Sequence, residues 1–250
     1  MSEYTAEYLT KVINSLKKIE KESSESINKA SSKMAKAIKK DELIHVIGPG
    51  GHSNMGAEEM FWRAGGLVHI NPILDAGTAL IHGAKRSNRI ERTPGYAEAV
   101  FDSYDITNGV LIIVNAYGIN AMAIDCAKEA EKRNLTSIGV TSTSFADRVP
   151  DGHPARHPSG EDLHNLVDIF VNCHMPYGDA LVEFEEIKQN VAPSSTLVNT
   201  FTVNLLTVKT VEVLLEDNFE PPIWMSANLP GGDKANKQYE EKFKGRVEHL

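Results

Sequence analysis

Residues 48–53 read Gly-Pro-Gly-Gly-His-Ser, between a short apolar run, Leu43-Ile44-His45-Val46-Ile47, and a helical stretch that begins at Asn54. A glycine-rich turn that opens a helix leaves backbone N–H groups unpaired, and the helix dipole adds positive potential there. Glycine also lets a ligand approach the backbone closely. Gly50, Gly51 and Ser53 are therefore candidate ligand contacts, best suited to phosphate or another acidic group. A plain strand-to-helix turn uses the same residue types, so the motif needs support from elsewhere in the chain.

That support comes from two more turns. Asn115-Ala116-Tyr117-Gly118-Ile119-Asn120 follows the apolar run Val110–Val114, and Thr141-Ser142-Thr143-Ser144 follows Ser137–Val140. Asn115, Tyr117, Gly118, Asn120, Thr141 and Ser142 offer amides, hydroxyls and backbone groups to an anion or a sugar hydroxyl. Asn, Ser and Thr are also the preferred helix caps, and any one of them alone is best read that way. Their coincidence at three turns favours a site for a hydroxylated ligand with one anionic end. The glycine spacing lacks the third glycine of a dinucleotide fingerprint, and no acidic residue stands at the strand end, Asn71-Pro72, to hold a ribose; the nearest, Asp75, follows a proline turn. A P-loop is excluded, since no Gly-Lys-Ser/Thr follows.

The elements that would position these residues alternate along the chain. Strands are predicted at 43–47, 67–70, 110–114, 137–140 and 167–171, and helices at 54–64, 119–133 and 196–216. Val110-Leu111-Ile112-Ile113-Val114 is apolar throughout, as a strand buried on both faces should be. The expected fold is α/β: a three-layer sandwich with a mostly parallel five-stranded sheet between helices, and a long N-terminal helix. In such a sheet the turns after 47, 114 and 140 share one edge. Residues 3–40 carry apolar residues at helical spacing without Pro or Gly, with a bend or break expected at Ser23–Ser26. Residues 1–40 are thus expected to pack on the domain or on a partner subunit, and 41–250 to form one domain. Residues 82–95, with Lys85, Arg86, Arg89 and Arg92, and residues 149–160 read as loops.

Composition narrows the class. The chain has 250 residues, 41% hydrophobic and 24% charged, which suits a globular domain. A net charge of -8 argues against a general nucleic-acid binder. No apolar run suggests a membrane span, and Met1-Ser2-Glu3-Tyr4 lacks the basic start of a signal peptide. Cys126 and Cys173 lie in apolar segments without metal-like spacing. A cytoplasmic protein with reduced, buried cysteines is expected.

At these residues the chain resembles the sugar isomerase (SIS) domain family. That family's pattern is a strand, Gly-x-Gly-x-Ser and a helix, then a strand, Ser-x-Ser-Gly-x-Thr/Asn and a helix. The resemblance covers roughly residues 40–215 and is nearest to the stand-alone bacterial branch similar to phosphoheptose isomerase. That branch's motifs are echoed at 51–53, 57–66, 153–160, 193–196 and 226–231. The resemblance implies a phosphosugar-binding protein, with Ser53 in the first motif and Gly118 and Asn120 closing the second. It also implies that Ser194, Ser195 and Thr196, opening the last long helix, reach the sugar site, often that of a neighbouring subunit. Asn115 and Tyr117 stand where the family carries serines. A tyrosine there fills space that a phosphate would use.

Aldose–ketose isomerisation, the implied reaction, moves a proton between adjacent carbons through an enediol and needs a base and an acid. Glu58 or Glu59, on the helix after the glycine turn, is the candidate base, and His52 or His157 the candidate acid. A dipole-compensating surface role would suit either glutamate equally well. No cofactor or metal is predicted. Zinc would have to draw on His153 or His157, because the helix that carries a histidine ligand in phosphoheptose isomerases has none here. The alternatives are a non-catalytic sugar-phosphate sensor and a lyase or etherase acting on an amino-sugar acid. Apolar surface on the N-terminal and 196–216 helices predicts a homodimer or larger assembly.

Overall fold

A computed structural model describes residues 2–250. The N-terminal helical stretch is two helices, α1 (Glu3–Glu22) and α2 (Ser24–Lys39). They part at Ser23, whose hydroxyl donates to the carbonyl of Asn172 at 2.8 Å. The sheet then builds up through β1 (Ile44–Ile47), α3 (Asn54–Met60), β2 (Ile70–Ile73), α4 (Ala84–Ile90), α5 (Tyr96–Ser103), β3 (Val110–Val114), α6 (Ala121–Lys132), β4 (Thr136–Thr141), α7 (Leu163–Leu166) and β5 (Ile169–Asn172). A short hairpin of β6 (Ala180–Val182) and β7 (Val191–Pro193) leads into α8 (Ser195–Glu216), and α9 (Gly232–Phe243) closes the chain.

The five strands are all parallel, in the order β2-β1-β3-β4-β5, with Ile44 opposite both Ile70 and Val110. The pleat divides the core between the two faces. On β3, Val110, Ile112 and Val114 face a core shared with α2 and α8, while Leu111 and Ile113 face a second core shared with α5 and α6. The three-layer parallel fold expected from the alternating apolar runs is the fold observed. Because β1 adds β2 on one side and β3 on the other, the strand order reverses between β1 and β3. In open α/β sheets such a switch point, at the carboxyl ends of the strands, is where ligands bind.

Several boundaries differ from expectation. The second strand lies at 70–73 instead of 67–70: Leu67 bridges antiparallel to Ile223, and the Val68 N–H donates to the carbonyl of Pro222. Pro72 sits within β2, which a sheet tolerates because β2 is an edge strand. The charged segment 82–95 holds a helix, α4, in which only Ser87 is buried, so no apolar period announced it. The helix after the glycine turn stops at Met60, not Ala64. One helix, α8, is long and apolar enough to cross a membrane, but here it packs on α2 and contributes Val198, Val203, Leu206 and Leu214 to the core. Both cysteines are free and buried.

Candidate active site

The turn after β1 is shaped by contacts that exclude side chains. A Cβ on Gly48 would overlap the carbonyl of Ser53, and one on Gly51 would lie 2.5 Å from Leu80. Gly50 has φ +152°, and a Cβ there would lie 2.6 Å from a carboxylate oxygen of Glu91. The Pro49 carbonyl accepts from the Asn115 amide at 3.1 Å and from the Asn120 amide at 3.0 Å. The second turn thus holds the first one in place. Asn115 Oδ1 also accepts from the Gly118 N–H, and Asn120 Oδ1 caps α6 by accepting from the Ala123 N–H. Gly118, in the left-handed region at φ +65°, packs its α-carbon against Thr141, where a Cβ would lie 2.3 Å from Oγ1.

A cleft of about 440 Å³ opens beside these turns. Its walls include Gly51, His52 and Ser53 from the first turn, Asn115 and Tyr117 from the second, Glu91 just after α4, Asp179 before β6, and Ser195, Thr196 and Asn199 from α8. Ser53 precedes α3 but does not cap it, and its hydroxyl accepts from the Asn115 amide at 3.4 Å. A smaller adjoining cavity of about 270 Å³, which Asn120 helps line, shares Asn88, Glu91 and Tyr117 with the cleft.

Two carboxylates occupy the positions that the backbone makes attractive to anions. The Glu91 carboxylate stands over the glycine turn, 2.6 Å from where a Cβ on Gly50 would lie, and accepts from the Asn88 amide at 3.3 Å. Burial raises its pKa above the ordinary glutamate range, against the opposing pull of nearby Arg92, the Gly51 backbone and the Asn88 amide. Asp179 sits at the start of α8. Its Oδ1 accepts from the N–H groups of Ser194 at 2.8 Å and Ser195 at 2.6 Å, and its Oδ2 from the Ser195 hydroxyl at 2.8 Å. The Ser194 hydroxyl donates to the Asp179 carbonyl at 2.9 Å. Tyr117 donates its hydroxyl to Asp179 Oδ2 at 3.4 Å. Burial, then the charge of Asp179, pushes the Tyr117 pKa up to about 12, so the phenol keeps its proton at neutral pH.

The structure moves several expected residues away from the cleft. Glu58 is exposed on α3 and does not line it. Glu59 points toward α8, where Oε1 accepts from the Asn204 amide at 3.1 Å and lies 3.5 Å from Arg63. The expected base from that helix is therefore not in the cleft of this chain. The seven-residue helix directs its inward face, Gly56, Ala57 and Met60, at the sheet. His157 is held by Asp125 at 3.2 Å and by the Ser159 hydroxyl at 2.7 Å, so it clamps the 149–160 loop onto α6. His153 accepts from the Ala155 N–H and is exposed. Thr141 and Ser142 are buried behind the second turn, and the Ser142 hydroxyl donates to the carbonyl of Met175. Of the expected acids only His52 lines the cleft. Among the described residues no group of three or more His, Cys, Asp or Glu converges as a metal site would require.

The sequence reading missed Glu91, Asp179 and Asn199. Glu91 lies in the charged segment 82–95, which reads as a loop because it has no apolar period. Asp179 reaches α8 only through the β6–β7 hairpin. Asn199 is buried at the cleft wall, and its Oδ1 has no partner in the protein. A single signal pointed toward Asp179: a run of serines that could open a helix invites a carboxylate.

A parallel sheet with a polar, carboxylate-bearing cleft at its switch point defines an α/β domain built to hold a small polar molecule. The SIS domain model matches residues 7–142, more than half of the chain, and the chain belongs to the SIS domain family. It is similar along nearly its whole length to UPF0309 proteins. That of Caldanaerobacter subterraneus subsp. tengcongensis is 36% identical over 97% of this chain and 98% of the relative. Those of Thermoanaerobacter pseudethanolicus and Halalkalibacterium halodurans are 34% and 33% identical, over 98% and 96% of this chain and 99% and 94% of theirs. A solved phosphoheptose isomerase from Francisella tularensis is similar over 85% of this chain and all of its own, at 14% identity and a TM-score of 0.46. The two chains share too little at that level for a residue or a role to be transferred.

Proposed function

We propose that this protein binds a sugar phosphate and isomerises it between aldose and ketose by an enediol-type proton transfer, with Glu91 as the base. The observation that carries this reading is the position of Glu91: a half-buried carboxylate of raised pKa in the wall of the cleft, beside the hydroxyls of Ser53 and Tyr117. General bases work best when their pKa is raised toward the working pH, and partial burial does that here. A sugar hydroxyl would donate to Asn199 Oδ1, which is buried at the cleft wall without a partner, as buried acceptors rarely are. His52, exposed at the mouth, is placed to return a proton to the sugar oxygen. Membership of the SIS family supports the carbohydrate class of the ligand. We further propose a cytoplasmic homodimer or larger assembly.

The test is turnover on a panel of aldose and ketose phosphates. Glu91→Gln should lower kcat by about 100-fold or more, the usual worth of a general base, while the fold is retained. Full activity in Glu91→Gln would remove Glu91 from the mechanism. If Glu59→Gln alone abolished turnover, the base would instead come from α3 acting across a subunit interface. A ligand-induced melting shift with no product would establish the sensor in place of the enzyme.

A further inference from the structure

We propose that the phosphate of the ligand is held not at the glycine turn but on the cationic face of α4, so that the cleft takes the sugar and α4 its acidic end. This rests on the reading of the ligand as a sugar phosphate. The first ground is that the usual anion seats are filled. The Glu91 carboxylate stands over the glycine turn, 2.6 Å from where a Cβ on Gly50 would lie, and the first N–H groups of α8 are spent on Asp179. A dianion seated there would meet two carboxylates, and the cleft is lined by no lysine or arginine. Like charges at short range in a partly desolvated cleft repel strongly. Hydroxyls, or an amine, suit those carboxylates.

The second ground is α4 itself. Lys85 and Arg89 stand at i and i+4 on α4, and with Arg92, in the turn just after the helix, they line a shallow groove of about 530 Å³ with Asn88 and Thr93. All three cations are exposed, and among the described residues none forms an ion pair. Asn88 lines the cleft, the adjoining cavity and the cationic groove alike. A ligand seated against Glu91 would extend past Asn88, which borders all three spaces, onto the row. Arg forks and a lysine point charge are the groups that recognise phosphate.

The experiment titrates inorganic phosphate at millimolar concentration into the whole protein. It follows the arginine Nε–H and backbone amide resonances, assigned with Arg89→Lys and Arg92→Lys. Phosphate should move the Arg89 and Arg92 signals and leave the Gly50 and Gly51 amides in place. The triple variant Lys85→Gln/Arg89→Gln/Arg92→Gln, all at exposed positions, should bind phosphate at least tenfold more weakly while retaining the fold. Movement of the Gly50 and Gly51 amides without the arginines would overturn the proposal, as would movement of neither set. If the arginine signals respond but no sugar phosphate is turned over, the isomerase reading fails and the anion subsite stands.

Discussion

Glu91 is the residue on which the proposed chemistry turns, and its environment makes a prediction in each direction. Its folded pKa lies above the ordinary value, so the folded state binds more protons than the unfolded one. Stability from this group is therefore lost as pH rises from the ordinary glutamate value through the raised one, and an ionised Glu91 costs stability at neutral pH. Glu91→Gln should accordingly raise the melting temperature at pH 7 while abolishing turnover, by about 2–4 °C for each kcal/mol regained. A lower melting temperature at pH 7 would show that the attraction of Arg92 and the hydrogen bond from Asn88 outweigh burial. The acidic limb of the pH–rate profile should report the same group. Arg92 is the charge that pulls the pKa down, against burial, with the Gly51 N–H, the Asn88 amide and the protonated Tyr117 as the other neighbours. Arg92→Gln should move that limb to higher pH, and an unmoved limb would assign it to another group. Gly51→Ala places a methyl 2.5 Å from Leu80 and should disturb the turn, measured as lost ligand binding with the melting temperature lowered by a few degrees.

At the scale of the element, the start of α8 decides most. This 22-residue helix carries no acidic residue in its first turn, and Asp179 supplies the missing carboxylate from outside. A carboxylate at a helix start accepts strong, charge-assisted hydrogen bonds and meets the favourable end of the dipole. Asp179→Ala should cost about 2 kcal/mol, measured by urea unfolding, and should also loosen Tyr117 and Ser195 at the cleft wall. A loss within error of zero would mean that water replaces the carboxylate without penalty. The hairpin of β6 and β7 has its purpose here: pairing Ala180 with Pro193 sets Asp179 beside Ser194. The short helix α4 works in the opposite sense. It buries little and instead presents its cations along the edge of the site.

For the whole molecule, the two cores account for the sheet, but apolar surface remains. Leu9 and Ile13 on α1 and Leu197, Val208 and Leu215 on α8 are exposed. Wild-type protein should sediment above monomer mass, and Leu9→Glu/Ile13→Glu should shift it toward monomer. A wild-type monomer under dilute conditions would leave every site residue to be supplied by one chain.

Apolar periodicity specified what depends on local pattern. The runs at 44–47 and 110–114, the helices 121–132 and 195–216, and the glycine turn at 48–51 were all legible, because a buried strand, an amphipathic helix and a tight turn each demand particular residues at particular spacings. The hydroxyl and amide turns were legible as a group, since strands of one parallel sheet end on one edge. What the pattern could not carry was which polar group faces the cleft. Glu58 and Glu59 lie between the sheet-facing Ala57 and Met60 of α3 yet point to solvent and to Asn204, while Glu91 and Asp179 arrive from segments without apolar period. Contacts between residues as far apart as Glu59 and Asn204, 145 positions, and Tyr117 and Asp179, 62 positions, decide those directions. Only the folded chain brings such residues together, and a carboxylate's role depends on what surrounds it rather than on its neighbours in sequence.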